Sequence, residues 1–572
     1  MNRNDTHKVQ VGIHGKIIAY TGFLVTTVFW SQGTDPFNLP KLVLLLFGAF
    51  LLIGSELFSL SRIRISKSNL PEVVVTTLIS LGLLVSVMFS PAPKWQMIYG
   101  VYSRNTGLLC YVSLLIIFIY STRIREKANL DLLIKSFIFA AIVAMVVALI
   151  EISGINIQGV DSNIQMALIS TFGNSNFISA FLGMSCVVFF TYLIGFKVKV
   201  WLKICQLVLM SISIALILKS NSKQGLILVI VGCAIIIGFF LLTKTQNRIF
   251  KISYFVSLAT GAILALAGFM DSGPLANLIY KSSVGFRFEY WKAGIEMFKN
   301  HPFSGVGLNS YGDWYRTTRS QGAMLSPGRD VITNTAHNVY IDLAATGGIL
   351  LLIGYLFLIV LTLRSAIKVI LRTKEFDVIF YSIFGAWTMY LLQATISIDQ
   401  IGLAIWGWIL SGSIIAYERI TNPILRISNE DLKSIGKTVK VNQLVPASTI
   451  LGMVCGFVIA LVIVLPPVKS DLNLRKAYGS TSAEALISSA KEWPPNTFVS
   501  ANVAAILLNN KLTTQALDVT RSGLKVNSRS YDLWNLTYLN PAATFQERTQ
   551  ALNRMKELDP RNASLEAKVV KE

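Results

Sequence analysis

Thirteen stretches of about 20 largely apolar residues run through this chain, and each is long enough to cross a bilayer as a helix. They fall near residues 15–31, 41–60, 71–90, 105–121, 132–152, 174–196, 200–218, 223–243, 251–270, 338–364, 378–397, 400–418 and 447–466. Composition agrees with that pattern. Of 572 residues, 53% are hydrophobic and only 14% are charged, and the mean hydropathy is +0.58. A soluble chain of this length needs far more charge to cover its surface. The expected fold is therefore all-α, a polytopic membrane protein of 12 to 13 transmembrane helices.

The formal net charge of +21 does not point to nucleic acid, because the basic residues are scattered between apolar runs. They gather in alternate connections: Arg62, Arg64 and Lys67; Arg123, Arg125 and Lys127; Lys197, Lys199 and Lys203; Lys244, Arg248 and Lys251; Arg364, Lys368, Arg372 and Lys374; and Arg419, Arg426, Lys433, Lys437 and Lys440. Lys and Arg accumulate on the cytoplasmic side of membrane proteins, so this alternation predicts a cytoplasmic N-terminus. An odd number of spans then puts a loop at 271–337 and a C-terminal tail on the outer face. The predicted division is a membrane domain over 1–466 and an extracytoplasmic helical domain over 467–572. The first span reads as a retained anchor, because no convincing small-residue cleavage site follows it. Cys110, Cys186, Cys205, Cys233 and Cys455 lie in or beside apolar runs without a CxxC pair, and read as small buried residues.

In the tail, Ala-Leu pairs recur at 485–486, 516–517 and 551–552, and turn residues recur at Pro494-Pro495, Asn527-Ser528 and Asp559-Pro560. This spacing resembles tetratricopeptide helix hairpins, which stack into a concave docking surface. A partner protein bound there and a cap over the outer loop are both consistent with it.

Polar residues at the outer boundary are the candidates for chemistry. Arg104 in "GVYSRNTGLL" precedes a span, Asn174 and Asn176 in "FGNSNFISAFL" open another, and Lys223 in "NSKQG" stands between two closely spaced helices. Arg287 lies in the large loop, in "RFEYW". Long cations at a helix end often only snorkel to the interface. Arg104, Lys223 and Arg287 together, on the face that topology leaves poor in cations, suit an anion such as a lipid diphosphate. His301 in "KNHPFSGVG" reads as a turn residue. His337, in "NTAHNVYIDLAATGG", stands where the loop meets a span. With Asn334 or Thr335 as the cap, it falls in the first helical turn, where the macrodipole favours neutral imidazole and free amides face any anion. A neutral base beside an anion suits attack by a hydroxyl on a phosphate-activated carbon, and an interfacial capping histidine is the plain alternative.

"HPFSGVGLNSY" followed by "AHNVYIDLAATGGIL" resembles the signature region of the O-antigen ligase and polymerase superfamily, as do "FGNSNFISAFL", "GVYSRNTGLL" and "RFEYW" in that order. The resemblance spans about residues 15 to 420. It implies a metal-independent, inverting glycosyltransferase without cofactor, in the cytoplasmic membrane. Such an enzyme moves a glycan from a polyprenyl diphosphate to an acceptor hydroxyl at the outer face. Arg287 and His337 match the family's functional arginine and histidine, and Asn338 completes its histidine-asparagine helix start. Lys223 stands where many members carry arginine, which keeps the charge and loses the bidentate fork. Thr346 stands where the family often has glutamate, which leaves His337 as the base.

The expected mechanism has Lys223 and Arg287, with Arg104, holding the diphosphate while His337 orients or deprotonates the acceptor. The acceptor stays open between a lipid core, a growing polysaccharide and a protein. Two other classes also stay open. One is a flippase of lipid-linked sugar, for which broken helices and inverted repeats would speak, and the other is a scaffold presenting the tail.

Overall fold

In the computed structural model, the described residues are 12–58, 69–159, 167–195, 197–279, 282–373, 375–423, 446–480 and 482–570. The basic residues Arg62, Arg64, Lys67, Lys374, Arg426, Lys433, Lys437 and Lys440 lie outside them. Among the described residues the chain is all-α, with no strand.

Each expected span corresponds to a helix. In order these are α1 (Ile13–Thr27), α2 (Asn38–Glu56), α3 (Leu70–Phe89), a short α4 (Lys94–Tyr99), α5 (Leu108–Thr122), α6 (Lys127–Ile152), α7 (Ser175–Ile194), α8 (Val200–Lys219), α9 (Lys223–Lys244) and α10 (Arg248–Phe269). The large loop carries α11 (Ala276–Ile279), α12 (Ser282–Asn300), α13 (Tyr311–Thr318) and α14 (Gln321–Ala323). Then come α15 (Val339–Arg372), α16 (Val378–Ala394), α17 (Ile401–Thr421) and α18 (Ala447–Tyr478). Ten of these helices are long and apolar enough to cross a membrane, while α5 and α16 are shorter apolar helices and α1 has 15 residues. The tail continues as α19 (Ala483–Ala490), α20 (Thr497–Asn509), α21 (Thr513–Val526), α22 (Tyr531–Leu539) and α23 (Phe545–Leu558).

The core centres on α17, which is buried at every position from Ile401 to Glu418 and packed against α1, α5, α15 and α16. An all-apolar helix has no solvent face, so burial on every side is one of its two stable settings. Some of its polar atoms bond internally: Trp406 Nε1 donates to Thr26 Oγ1 (2.7 Å), and Trp387 Nε1 on α16 donates to Ser411 Oγ (2.9 Å), while Trp408 Nε1 is buried without a partner among the described residues. The other setting is lipid, and α10, with only Gly268 buried, suits it.

The helix α18 packs along α2, with Gly452 against Gly54 and Gly456 against Phe50, the close approach that small residues allow between membrane helices. It runs through Pro466 and Pro467 without a break, so the boundary expected at 466 falls inside one helix. Past the prolines, Asp471 accepts the amides of Thr34 and Asp35 (both 2.9 Å) and the Tyr102 hydroxyl (2.5 Å). All five cysteines are free; Cys110 and Cys186 are buried as expected, whereas Cys205 is exposed. The exposure of Cys205 corrects its expected burial, and it follows from α8 turning much of its apolar surface outward.

Candidate functional site

The site begins with the cap of α15, and here the structure corrects the sequence. The cap is Asn338, in place of Asn334 or Thr335. Its Oδ1 accepts the Ile341 amide (3.0 Å) while its Nδ2 donates to the Thr395 carbonyl (2.9 Å). A residue with two anchors, one on the helix and one on the α16–α17 loop, outcompetes the upstream candidates for the role. His337 consequently sits just before the helix, outside its first turn, with φ +53°. Few residues other than glycine adopt that left-handed conformation. It is held from both sides, because the Ala336 amide donates to Asp342 Oδ1 (2.9 Å) as Asn338 clasps the helix.

The helix behind His337 is short. Gly348 takes φ +75° and ψ −174° inside α15, a conformation essentially confined to glycine. The break frees backbone groups, and the "HPFSGVG" loop takes them. Val306 N donates to the Ala345 carbonyl (2.9 Å), Gly307 N to that of Thr346 (3.1 Å), and Ile349 N to that of Pro302 (2.8 Å). Non-helical backbone at membrane depth needs such protein partners. This loop therefore fixes the 339–347 segment, and His301 serves as expected, its carbonyl accepting Gly305 N (3.0 Å) and its ring edge-on to Trp314 at 4.7 Å.

Two arginines face the histidine. Arg287, on α12, and Arg104, between α4 and α5, both act electrostatically on His337, and Tyr290, one helical turn from Arg287, lies 5.6 Å from the His337 ring. Burial above all, then Arg287 and Arg104, push His337 down from 6.5 to about 3. The macrodipole expected to keep the ring neutral is thus secondary to desolvation and two cations. Arg287 and Arg104 are themselves lowered by burial. Neither makes an ion pair among the described residues, and Nη1 of Arg104 is buried without a hydrogen-bond partner. Asp342 is the carboxylate that favours the charge on Arg104.

A second cluster forms at the α8–α9 turn. Asn174 caps α7, its Oδ1 accepting the Asn176 amide (2.9 Å), and Asn176 Oδ1 accepts the Ser222 hydroxyl (2.9 Å). Lys223 is the first residue of α9. Next to it, Gln224 Nε2 donates to Gln393 Oε1 (3.3 Å) near the end of α16, whose following residue but one, Thr395, anchors Asn338. The structure thus gathers His337, Arg287, Arg104 and Asn338 directly. Lys223, Asn174 and Asn176 reach them only through the end of α16.

Sequence reasoning did not single out Asp342, Tyr290 or the docking role of residues 302–307. An acidic residue in the first turns of a helix is a recognisable signal, and "HNVYID" carries it. Behind the helix, Asp399 accepts from the Tyr390 hydroxyl (3.0 Å) and is raised to about 7, first by burial and also by Asp342. Thr346, at the position where glutamate was expected from the resemblance, is buried and bonded to the Asp342 carbonyl (2.7 Å). Among the described residues, no three His, Cys, Asp and Glu side chains come together as a metal site.

Residues 166–356 match the family model described as Wzy_C: O-Antigen ligase. The match bears out the resemblance to the O-antigen ligase superfamily and includes every candidate except Arg104. With the ten apolar helices, it supports a multi-pass membrane protein of ligase or polymerase type. No curated protein matches the chain.

Proposed function

We propose that this O-antigen ligase-like membrane protein transfers a glycan from a polyprenyl diphosphate to an acceptor hydroxyl at the outer face of the cytoplasmic membrane. The observation that carries the reading is the convergence at one helix start of a histidine favoured as neutral and two arginines that make no ion pair among the described residues. The guanidinium groups suit a diphosphate in fork geometry. The acceptor oxygen attacks the anomeric carbon with inversion, the bond from that carbon to the phosphate oxygen breaks, and the diphosphate leaves with the electron pair. The acceptor proton passes to a ring nitrogen of His337. The chain's own charges supply the compensation, and the reading calls for neither metal nor cofactor.

A histidine held near 3 is a weak base, and donor binding would correct that. A diphosphate on Arg287 and Arg104 offsets two of the three influences that hold His337 down, so the ring gains basicity once the donor is in place. Lys223, with Asn174 and Asn176, would serve the part of the donor nearer the α8–α9 turn.

Ligation and polymerisation share this chemistry and differ in the acceptor, which can be a lipid core, a growing glycan or a protein. For a flippase, the break at Gly348 is a supporting feature, but the 302–307 loop occupies its freed groups. In the tail, the α20–α21 and α22–α23 hairpins begin at Thr497 and Tyr531, close to a tetratricopeptide repeat of about 34 residues. We read residues 467–572 as an outer helical domain able to dock a partner protein.

Purified protein incubated with polyprenyl-diphosphate glycan and candidate acceptors tests the reading. Release of polyprenyl diphosphate with product is expected from the wild type, and His337→Ala should lose about 100- to 10,000-fold in turnover, the range for a general base. Wild-type turnover in His337→Ala removes the base from the mechanism.

A further inference from the structure

Between the tail and the outer loops lies a cleft of about 150 Å³ that none of the roles above uses. Its walls come from the start of α2, the α4 region, α13, the stretch before His337, the 467–471 part of α18, two tail turns and the end of α23. Exposed aromatic rings line it, Trp95 and Phe498, or stand beside it, Trp493. Trp95 is 41%, Trp493 45% and Phe498 47% exposed. Trp493 stands edge-on to Trp95 at 5.1 Å and to Tyr99 at 5.7 Å, and Phe498 stacks on Tyr102 at 5.9 Å. The rings are therefore braced by one another across the junction of tail and membrane part.

The polar lining has its own preference. Asn105 is 7% exposed and held at φ +55°, and its Oδ1 is buried with no partner. A buried acceptor left unmade costs about 1–3 kcal/mol, so the Asn105 carboxamide is an unsatisfied polar group on the cleft wall. Asp35, Asp313, Asp471 and Asp532 also line the cleft and oppose an anion. The cations present are engaged: Arg529 lies over Trp314 at 3.5 Å, and Arg316 lies over Tyr531 at 4.1 Å while pairing with Asp559. Flat rings for the apolar face of a pyranose, a carboxamide for a hydroxyl and carboxylates against phosphate describe an uncharged sugar chain. The cleft is close to the site along the chain, since Asn105 follows Arg104 and the lining residue Asn334 precedes His337 by three.

We propose that this cleft binds an uncharged oligosaccharide, stacked on Trp95 and Phe498 with a hydroxyl at the Asn105 carboxamide. It rests on the transfer reading in that the bound chain is the glycan to be joined at His337. Full-length protein in detergent, applied to an array of neutral and acidic oligosaccharides, tests it. Neutral glycans should be retained. Trp95→Ala and Asn105→Gly should each weaken retention about tenfold, Trp95→Phe should keep most of it, and His337→Ala should bind as wild type. Thermal unfolding of each variant separates a lost ring from a lost fold. In the transfer assay, the KM that rises in Trp95→Ala, for donor or for acceptor, tells which glycan occupies the cleft. No retained neutral glycan, a preference for acidic ones, or equal retention by correctly folded variants overturns the proposal. So does an effect of Trp95→Ala on membrane partitioning alone, which would make the rings an interfacial belt. Glycan binding by a wild type that forms no product removes the transfer reading and leaves the cleft. Product formed while the variants bind as wild type does the reverse.

Discussion

Arg319 and Arg287 belong to the same large loop, 271–337, and meet opposite fates. Arg319 is fully buried, and its Nη2 donates to both oxygens of Asp559 in the tail (2.7 and 2.8 Å), while Nη1 donates to the Arg329 carbonyl (2.6 Å). Arg287, mostly desolvated as well, has no ion pair among the described residues, and neither does Arg104 beside it. Taking a guanidinium from water costs several kcal/mol, so a fold usually retains a buried one with its counter-charge. Arg319 is therefore a structural joint between loop and tail. Arg287 and Arg104 are charges whose partner is expected from outside. The difference separates a cation that holds the molecule together from cations without an ion pair among the described residues, the two proposed to take an anion, which residue type alone cannot do.

The largest test of that difference is Asp559→Ala. It would leave Arg319 buried and unpaired, a change worth roughly 3–5 kcal/mol, seen as a lower thermal midpoint and faster proteolysis of the tail. An unchanged midpoint would mean that Arg319 is not neutralised by the tail. Arg287→Gln should behave in the opposite way. Removing an uncompensated charge should leave the thermal midpoint unchanged or higher. Losing a charged hydrogen bond to the donor should cost about 1.5–3 kcal/mol, or roughly 10- to 150-fold in kcat/KM. Arg287→Lys should fall between, since the charge remains without the fork. If Arg287→Gln destabilises the fold and spares kcat/KM, Arg287 is a joint like Arg319.

The sequence made some of these features legible and hid others. Apolar runs announce the spans directly, because lipid forces about 20 residues of helix whatever the packing. His337 and Arg104 were legible as polar residues at span ends and Arg287 as a cation in the large loop, and the structure brings them together. The cap was misread because Asn334, Thr335 and Asn338 are all good cap residues, and only the anchor on Thr395 selects among them. Gly348 breaks the span that starts near 338, and the break depends on the 302–307 loop taking the freed backbone groups, a tertiary contact that apolar spacing does not report. Lys223 and Arg287 carry the same charge in sequence, and only tertiary packing assigns them to different clusters. Asn338→Ala sharpens this point: losing the cap should cost about 1 kcal/mol and loosen His337, so kcat should fall more than the thermal midpoint suggests. An equal fall for Asn334→Ala would return the cap to its upstream candidate.

The smallest effect distinguishes the two arginine classes through His337 itself. Its folded value of about 3 lies below the ordinary 6.5, so the fold favours the neutral ring. The unfolded chain then binds more protons between those values, and the stability contributed by His337 is present above about 6.5 and lost as pH falls towards 3. Burial is the largest cause and Arg287 only the second, so Arg287→Gln should raise the value without restoring it to 6.5. Titrating ¹⁵N-labelled histidine rings, with His337 identified by its absence in His337→Ala, measures this. Undecaprenyl diphosphate added to the wild type should move the same resonance upward, because an anion on the arginines has the sign of removing them. A ring that titrates near 6.5 in the free protein would mean that neither burial nor the arginines act on it. A ring that shifts with Arg287→Gln but ignores the diphosphate would keep the electrostatics and place the anion elsewhere.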